Sequence, residues 1–477
     1  MLTGIAEMLF NSTDFFVFFF AVFALYWIID QRYRWILLLA ASYFFYMSWE
    51  PVYLVLILFS TAVDYFACNY LTSSASDRKR KLGLFISVVT NLGLLFTFKY
   101  YDFFQETIVE LAHSMDIEYI PSTSSLLLPV GISFYTFQTL SYSIDVYRKT
   151  INAERHLGKF ALYVSFFPQL VAGPIERAKD LLPQMHRKGL KLSHQAFREG
   201  SLLFAWGLFK KIVVADNCAM LVEAHYDSYE LHSGGSLLFV TYLFAIQIYC
   251  DFSGYSDMAI GIAKLLGFEL KQNFKTPYFS SSFTKFWRRW HISLSSWMRD
   301  YIYVPLGGNK SGSKLKQSGN LMATMGIGGL WHGPSLNFIL WGLVNGIMLV
   351  LEKIIGFRKG PIPFWRRLLG AFVVLNVISL TWVFFRADSF DQAMSIFGKI
   401  FTMHPSELYV MLGEYKYSPA IIGALLLIIF EIQHPFSSIL KLLDRKPIWR
   451  YSHYLVLVFA LLLLGNTVGV PFIYFQF

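Results

Sequence analysis

Charge is what this chain has least of. Asp, Glu, Lys and Arg make up 15% of its 477 residues, where a soluble protein carries about 25%. Too little polar surface remains to cover the roughly three soluble domains that the length would otherwise allow. Cysteine is scarce too. The three present, Cys68, Cys218 and Cys250, are odd in number and have no CxxC spacing, so neither a disulfide framework nor a zinc site is indicated. Low-complexity tracts and repeats of fixed period are absent, as are a GxSxG elbow, a P-loop, HExxH and GxGxxG in a strand–helix setting. Serine hydrolysis and nucleotide hydrolysis therefore lack support.

What the chain has is apolar surface. Hydrophobic residues make up 55% and aromatics 18%, and the mean hydropathy is +0.46. That composition predicts an all-α polytopic membrane protein. The net charge is +10. We read it as Lys and Arg gathered in cytoplasmic loops against anionic headgroups, with no nucleic-acid partner. The 28 Tyr and 12 Trp suit belts at the two interfaces. The apolar run 15–29 has no basic residue before it and no small-residue cleavage site after it. It reads as a retained first span and not as a secretory signal.

A spanning helix needs about 20 mostly apolar residues. Ten stretches are expected to cross: 13–30, 33–49, 51–71, 82–101, 125–146, 198–224, 236–264, 366–386, 418–433 and 452–475. Arg32 and Arg34 follow the first, and Arg78, Lys79, Arg80 and Lys81 follow the third. Residues 102–124 carry five carboxylates and no Lys or Arg. The positive-inside rule then puts both termini outside the cytoplasm. Two further apolar stretches, 158–174 and 320–350, are broken by Gly and Pro and flanked by bases at both ends. Each is expected to enter from the cytoplasm and return, as a re-entrant element or helical hairpin. Irregular backbone at membrane depth needs protein or a water-filled cavity around it, so two such elements imply a central cavity. The segment 388–417, with Asp388, Asp391, Glu407 and Glu414, reads as an external loop holding an amphipathic interfacial helix. The chain is expected to form one integral-membrane domain, with N-terminal spans at 1–150, a core at 151–360 and C-terminal spans at 361–477.

Ionisable groups inside a membrane are functional candidates by default. His332 lies in Gly328-Gly329-Leu330-Trp331-His332-Gly333-Pro334. Glycines let backbone approach a substrate and Pro334 ends or kinks a helix. An imidazole there either exchanges a proton near neutral pH or is a core histidine satisfied by a carbonyl. His291 lies in Trp287-Arg288-Arg289-Trp290-His291-Ile292-Ser293-Leu294. Trp287, Trp290, Leu294 and Trp297 share one helical face, so this stretch is either an interfacial anchor or part of a site. Lys285, Arg288, Arg289 and Arg299 are candidates to meet the phosphates of a donor. Asp251, Ser253 and Asp257 put two carboxylates and a hydroxyl in one span. They are expected to pair with bases, as bracing, or to line the cavity. Glu176 and Arg177 are expected to fix the turn after 158–174. No metal site is expected.

The run 286–308, with Trp-Arg-Arg-Trp-His-Ile-Ser-Leu-Ser and Asp-Tyr-Ile-Tyr-Val-Pro-Leu-Gly-Gly, followed by Gly329-Leu330-Trp331-His332-Gly333, strongly resembles the membrane-bound O-acyltransferase family. The 251–257 block, Gly173-Pro174-Ile175-Glu176-Arg177 and Ser42-Tyr43-Phe44-Phe45-Tyr46 fit its bacterial branch that acetylates exported polysaccharides, alginate among them. The resemblance covers nearly the whole chain. It implies a ring of about ten membrane helices and two re-entrant elements around a central tunnel, with His332 as catalytic histidine and His291 as its second active-site residue. Asp251, Ser253, Asp257, Ser293 and Asn337, with Trp290 and Trp331, are the tunnel-lining candidates. It further implies acetyl-CoA as acyl donor with no bound cofactor. The expected partners are an extracytoplasmic serine-hydrolase-like (SGNH) acetyltransferase and a polysaccharide synthesis or export complex. D-alanyl transfer to teichoic acid from a carrier protein is the alternative within the enzyme class. A polysaccharide transporter or a scaffold is the alternative outside it.

Overall fold

The computed structural model describes residues 8–74, 76–117, 128–171, 173–310, 312–356, 363–404, 406–407, 418–433, 439–466 and 469–475. Much of the expected acidic loop (118–124), the bases Arg358 and Lys359, and the end of the expected interfacial loop (408–417) lie outside them. Among the described residues every regular element is helical. Six helices are long and apolar enough to cross a membrane: Pro51–Ser73, Asp77–Ser114, Gly234–Leu265, Leu336–Ile355, Phe364–Arg386 and Pro447–Leu464. Thr13–Ile28 and Ser418–Gln433 are shorter apolar helices. The chain is thus an all-α, multi-pass membrane protein.

The residues fall into two compact units. The first holds Met1–Gly200 and Ile262–Lys271. Its first helix begins where a side chain caps it: the Ser12 hydroxyl accepts from the Phe15 N–H at 3.2 Å, satisfying one of the donors that a helix start leaves open. Helix Ile132–Tyr147 fills the expected span at 125–146, but it is buried along nearly its whole length. Its Thr139 and Ser143 join Asp64, Ser87 and Asn91 in a buried hydrogen-bond cluster. It is an interior helix, which is why its polar residues are tolerated. The broken stretch 158–174 becomes two short helices, Leu157–Ser165 and Phe167–Leu170, interrupted at Phe166. Neither is long enough to cross a bilayer. Gly131 sits there at φ +75°, and a side chain on it would meet the Leu170 carbonyl at 2.7 Å.

The second unit holds Ser201–Gly261 and Gln272–Phe477. The expected span 198–224 is a helical run whose middle, Phe209–Ala215, is a π-helical turn. It carries Lys210, Lys211 and Asp216, all buried, so composition alone does not mark it as a crossing. Gly207 lies against Gly254, where a Cβ would meet the Gly254 carbonyl at 2.4 Å. The stretch 320–350 is a helical hairpin, Lys314–His332 and Leu336–Ile355. At 19 and 20 residues each arm is about 30 Å long, and the return arm is among the helices apolar enough to cross a membrane. The expected last span, 452–475, ends earlier: Pro447–Leu464 is helical, and Gly465 leaves it with extended backbone. Helix Phe390–Phe401 buries Ala393, Ile396 and Ile400 along one side, the amphipathic pattern expected at 388–417.

Candidate active site

The hairpin closes because its arms carry no side chain where they cross. A Cβ on Gly329 would sit 2.2 Å from the Phe338 carbonyl oxygen, and one on Gly342 would sit 2.3 Å from that of Met325. Lys314–His332 ends at His332, where Gly333 turns to extended backbone, and the Ser335 hydroxyl caps the return arm. His332 is therefore fixed at the turn of the hairpin and is only 4% exposed. Its ring lies among Trp331, Trp341, Phe385 and Tyr474, at centroid distances of 5.0, 5.1, 5.2 and 5.6 Å.

His291 approaches the same place from a different loop. It precedes the short helix Ile292–Met298 with φ +42°, a left-handed conformation that costs energy for a side chain larger than Gly and clusters at functional sites. Asn273 holds that turn. Its Oδ1 lies 3.2 Å from His291 Nδ1 and accepts from the Ser293 N–H (3.2 Å) and hydroxyl (2.9 Å), while its carbonyl accepts from the Ile292 N–H at 2.8 Å. Burial pushes the His291 pKa down to about 3, so the imidazole is neutral. Trp331 and Tyr474 each touch both histidines: their centroids are 6.0 and 6.5 Å from His291.

His332 opens on a cavity of about 620 Å³. Leu321, Thr324, Met325 and Gly328 line it from one face of the first arm, and Trp341, Leu349, Glu352 and Lys353 from the second. Arg288 and Arg299 line it from the 284–309 segment. Trp341 and Lys353 are twelve residues apart, so the lining extends about 18 Å along the helix axis. The imidazole sits at the hairpin turn among aromatic rings, Lys353 and Glu352 lie at the far end of the return arm's lining, and the Arg288 and Arg299 guanidinium groups also line the cavity. This suits a long ligand with an anionic head and a reactive uncharged tip.

The remaining sequence candidates divide. Arg288 and Arg299 join His332 in the cavity lining; Arg289 and Lys285 do not. Arg289 reaches the Phe279 carbonyl and Ser280 (3.4 and 3.3 Å), and Lys285 the Ser281 hydroxyl (3.0 Å). Trp290 is buried between Phe286 and Trp382. Asn337 donates to the Ala387 carbonyl at 3.0 Å. Asp251 and Asp257 pair with consecutive lysines. Lys211 Nζ lies 2.9 Å from Asp251 and 2.7 Å from Asp216, and Lys210 Nζ lies 2.6 Å from Asp257 and 2.9 Å from Ser253. Sequence reasoning missed Lys210, Lys211, Asn273 and Tyr474. Two lysines inside an apolar run were a readable signal for the first pair. Nothing local marks Asn273, and Tyr474 was hidden in an expected span. Among the described residues no group of three His, Cys, Asp or Glu is placed to hold a metal ion.

The model of the family described as MBOAT, membrane-bound O-acyltransferase, matches residues 154–386. A Pseudomonas putida protein named probable alginate O-acetylase AlgI is 36% identical over 492 aligned residues, covering 98% of this chain and all of that protein. The chain belongs to the membrane-bound O-acyltransferase family. A Pseudomonas syringae protein of the same name is 39% identical over 83% of this chain and 75% of its own length. A Helicobacter pylori peptidoglycan O-acetyltransferase is 35% identical over 82% of this chain and 79% of its own. As a membrane-bound O-acyltransferase, the protein is an acyl-transferring enzyme. His332, His291, Asn273 and the cavity-lining arginines all lie within the matched residues, whereas Tyr474 lies beyond them.

Proposed function

We propose that this enzyme passes an acetyl group from a cytoplasmic thioester, acetyl-CoA, to an acceptor hydroxyl outside the cytoplasm, for O-acetylation of an exopolysaccharide or cell-wall glycan. The observation that carries the proposal is the cavity that joins His332 to Arg288, Arg299 and Lys353. The donor's phosphates cannot enter hydrocarbon cheaply, so they stay at the basic end while the thioester reaches His332. His332 takes the proton of the acceptor hydroxyl. The hydroxyl oxygen attacks the thioester carbonyl, the C–S bond breaks, and the proton passes to the departing thiolate. A general base of this kind contributes about 10² to 10⁴-fold. His291, held neutral by burial, acts beside it as a hydrogen-bonding group for the developing oxyanion. The acceptor is supplied by an extracytoplasmic serine-hydrolase-like partner within a polysaccharide synthesis or export complex, and the enzyme sits in the bacterial inner membrane with both termini outside.

The test is transfer from labelled acetyl-CoA by the purified protein in detergent, with no membrane gradient. Labelled acetyl should reach an added glycan or partner hydroxyl, and His332→Ala should lose it while remaining folded. Full activity in that variant would sink the proposal. A D-alanyl-loaded carrier protein offered as the donor should give no transfer. Transfer from it alone would move the enzyme to teichoic acid chemistry.

A further inference from the structure

The first unit contains a second cavity, of about 430 Å³. Five permanent cations line it: Arg32, Arg34, Lys159, Arg187 and Lys188. His156 and His186 line it too, and among the described residues no carboxylate does. The nearby acids are engaged from outside the lining: Asp30 with Arg32 at 3.5 Å and Glu154 with His186 at 2.8 Å. Lys159 Nζ lies 3.0 Å from the other nitrogen of His186. The floor is apolar, with Leu38, Leu162, Met185 and Phe268 all buried.

This is a built pocket and not a scatter of surface charge. Gln31 clamps the basic loop to the start of the second helix: its Nε2 donates to the Arg187 carbonyl at 2.8 Å, and its Oε1 accepts from the Gly189 N–H at 2.6 Å. Gly189 is at φ +73°, which permits the turn. Gln184 repeats the device on the other side, donating to the Glu269 carbonyl and accepting from its N–H at 2.9 and 2.8 Å. The Arg34 guanidinium packs on Tyr26 and Trp27, 4.9 and 4.8 Å from the ring centroids, and donates to the Leu190 carbonyl at 3.2 Å. The Arg34 guanidinium and the backbone that carries Arg187 and Lys188 are therefore held in place before any ligand arrives, which lowers the ordering cost of binding.

The location indicates the ligand. The pocket lies at the junction of the apolar helices Thr13–Ile28 and Arg34–Met47. The end of an apolar helix, with Arg and aromatic residues beside it, is headgroup depth. A cationic rim over an apolar floor matches a phosphate group with an apolar substituent. We propose that this pocket binds the phosphate of an anionic phospholipid, separately from the acyl-transfer site.

The test uses the full-length purified protein in non-ionic detergent at fixed ionic strength. Its unfolding midpoint is followed during titration with phosphatidylglycerol, phosphatidylcholine or inorganic phosphate. Phosphatidylglycerol should raise the midpoint saturably and phosphatidylcholine should not. Arg32 and Lys188 are exposed, so Arg32→Gln with Lys188→Gln should fold. At about fivefold per cation, that double variant should need roughly 25-fold more phosphatidylglycerol. Gln31→Leu, which keeps every charge and releases the loop, should also weaken binding. Saturation by inorganic phosphate, with no further gain from lipid, would keep the phosphate chemistry and assign a soluble ester as its source. Equal response to the two lipids, or an unchanged response in either variant, would overturn the proposal.

Discussion

Two polar places in the second unit answer the same problem in opposite ways. Around Lys211 the ionisable groups face one another. Its ammonium lies between Asp216 and Asp251, the Ile473 N–H donates to Asp251 at 2.7 Å, and all three side chains are 1% exposed. His332, by contrast, lines a cavity of about 620 Å³. Both sites are buried polar clusters in a membrane protein, and residue type alone would flag both as functional. What separates them is the cavity: His332 lines one, whereas Lys211 sits between two carboxylates. A satisfied ion network braces its helices, whereas an imidazole beside a cavity can meet a substrate.

That contrast can be broken by exchanging the expected phenotypes. His332→Ala should cost about 10² to 10⁴-fold in turnover with little change in unfolding midpoint, read by an acetyl-transfer assay and a thermal melt on one sample. Lys211→Met should do the reverse. It leaves Asp216 and Asp251 buried without their cation, a loss of about 3 to 5 kcal/mol, so it should be recovered poorly, whatever activity its folded fraction retains. If Lys211→Met melts like the wild type, the network is not a brace.

A smaller effect distinguishes the hairpin's two kinds of glycine. Gly342→Ala would drive a Cβ to 2.3 Å from the Met325 carbonyl oxygen, and overpacking of this kind costs about 1 to 3 kcal/mol. Gly328 lines the cavity, and a Cβ there meets nothing within 4 Å. Gly328→Ala should leave the midpoint unchanged or raise it, because Ala is the better helix former. Its effect should appear in the apparent KM for the donor thioester. A matched drop in midpoint for both variants would mean that the cavity is not where the geometry puts it.

Asn273→Ala tests the second histidine through its turn. It removes the oxygen that holds the backbone at 291–293, so turnover should fall about tenfold, the scale of a 1.4 kcal/mol hydrogen-bond loss. The smallest effect expected is at Glu176, outside the spanning helices. Burial pushes its pKa up to about 7, and the Lys271 N–H bonded to its Oε1 partly opposes this. A carboxyl whose folded pKa lies above its unfolded value stabilises the fold in its protonated state. That contribution is complete below about pH 4.5 and is lost as pH rises through about 7. Glu176→Gln keeps an acceptor for Lys271 and should flatten stability between those values, measured by melts across pH.

The sequence made the hairpin visible because its signal is local: an apolar stretch broken by Gly328, Gly329, Gly333 and Pro334, with bases on both sides. His332 and the two arginines of its cavity were legible for the same reason. Of the two forms expected for 320–350, a re-entrant element or a helical hairpin, the structure shows the hairpin, because Gly333, Pro334 and Ser335 form a turn between two continuous helices. Among the described residues, six helices are long and apolar enough to cross and two more are shorter apolar helices. Hydropathy averages over a helix and cannot tell lipid-facing Leu from interior Leu. Ile132–Tyr147 is the clearest instance, since it is buried on every side. Asn273 and Tyr474 were illegible for a different reason. They reach the histidines from 18 or more positions away in sequence, through contacts that no periodicity records.

The hairpin also constrains how this enzyme is made. Lys314 and Lys353 lie at one end of the hairpin, and the turn at Gly333, Pro334 and Ser335 at the other. The return arm, Leu336–Ile355, is apolar enough to cross a membrane by itself, whereas Lys314–His332 is not among the helices that are, so the first arm depends on its partner to settle in lipid. A lysine placed at that turn would have to be carried into the packed end of the pair, and at hydrocarbon depth it costs about 2.5 to 3.5 kcal/mol. Such a variant should fail during biogenesis, before any question of chemistry arises.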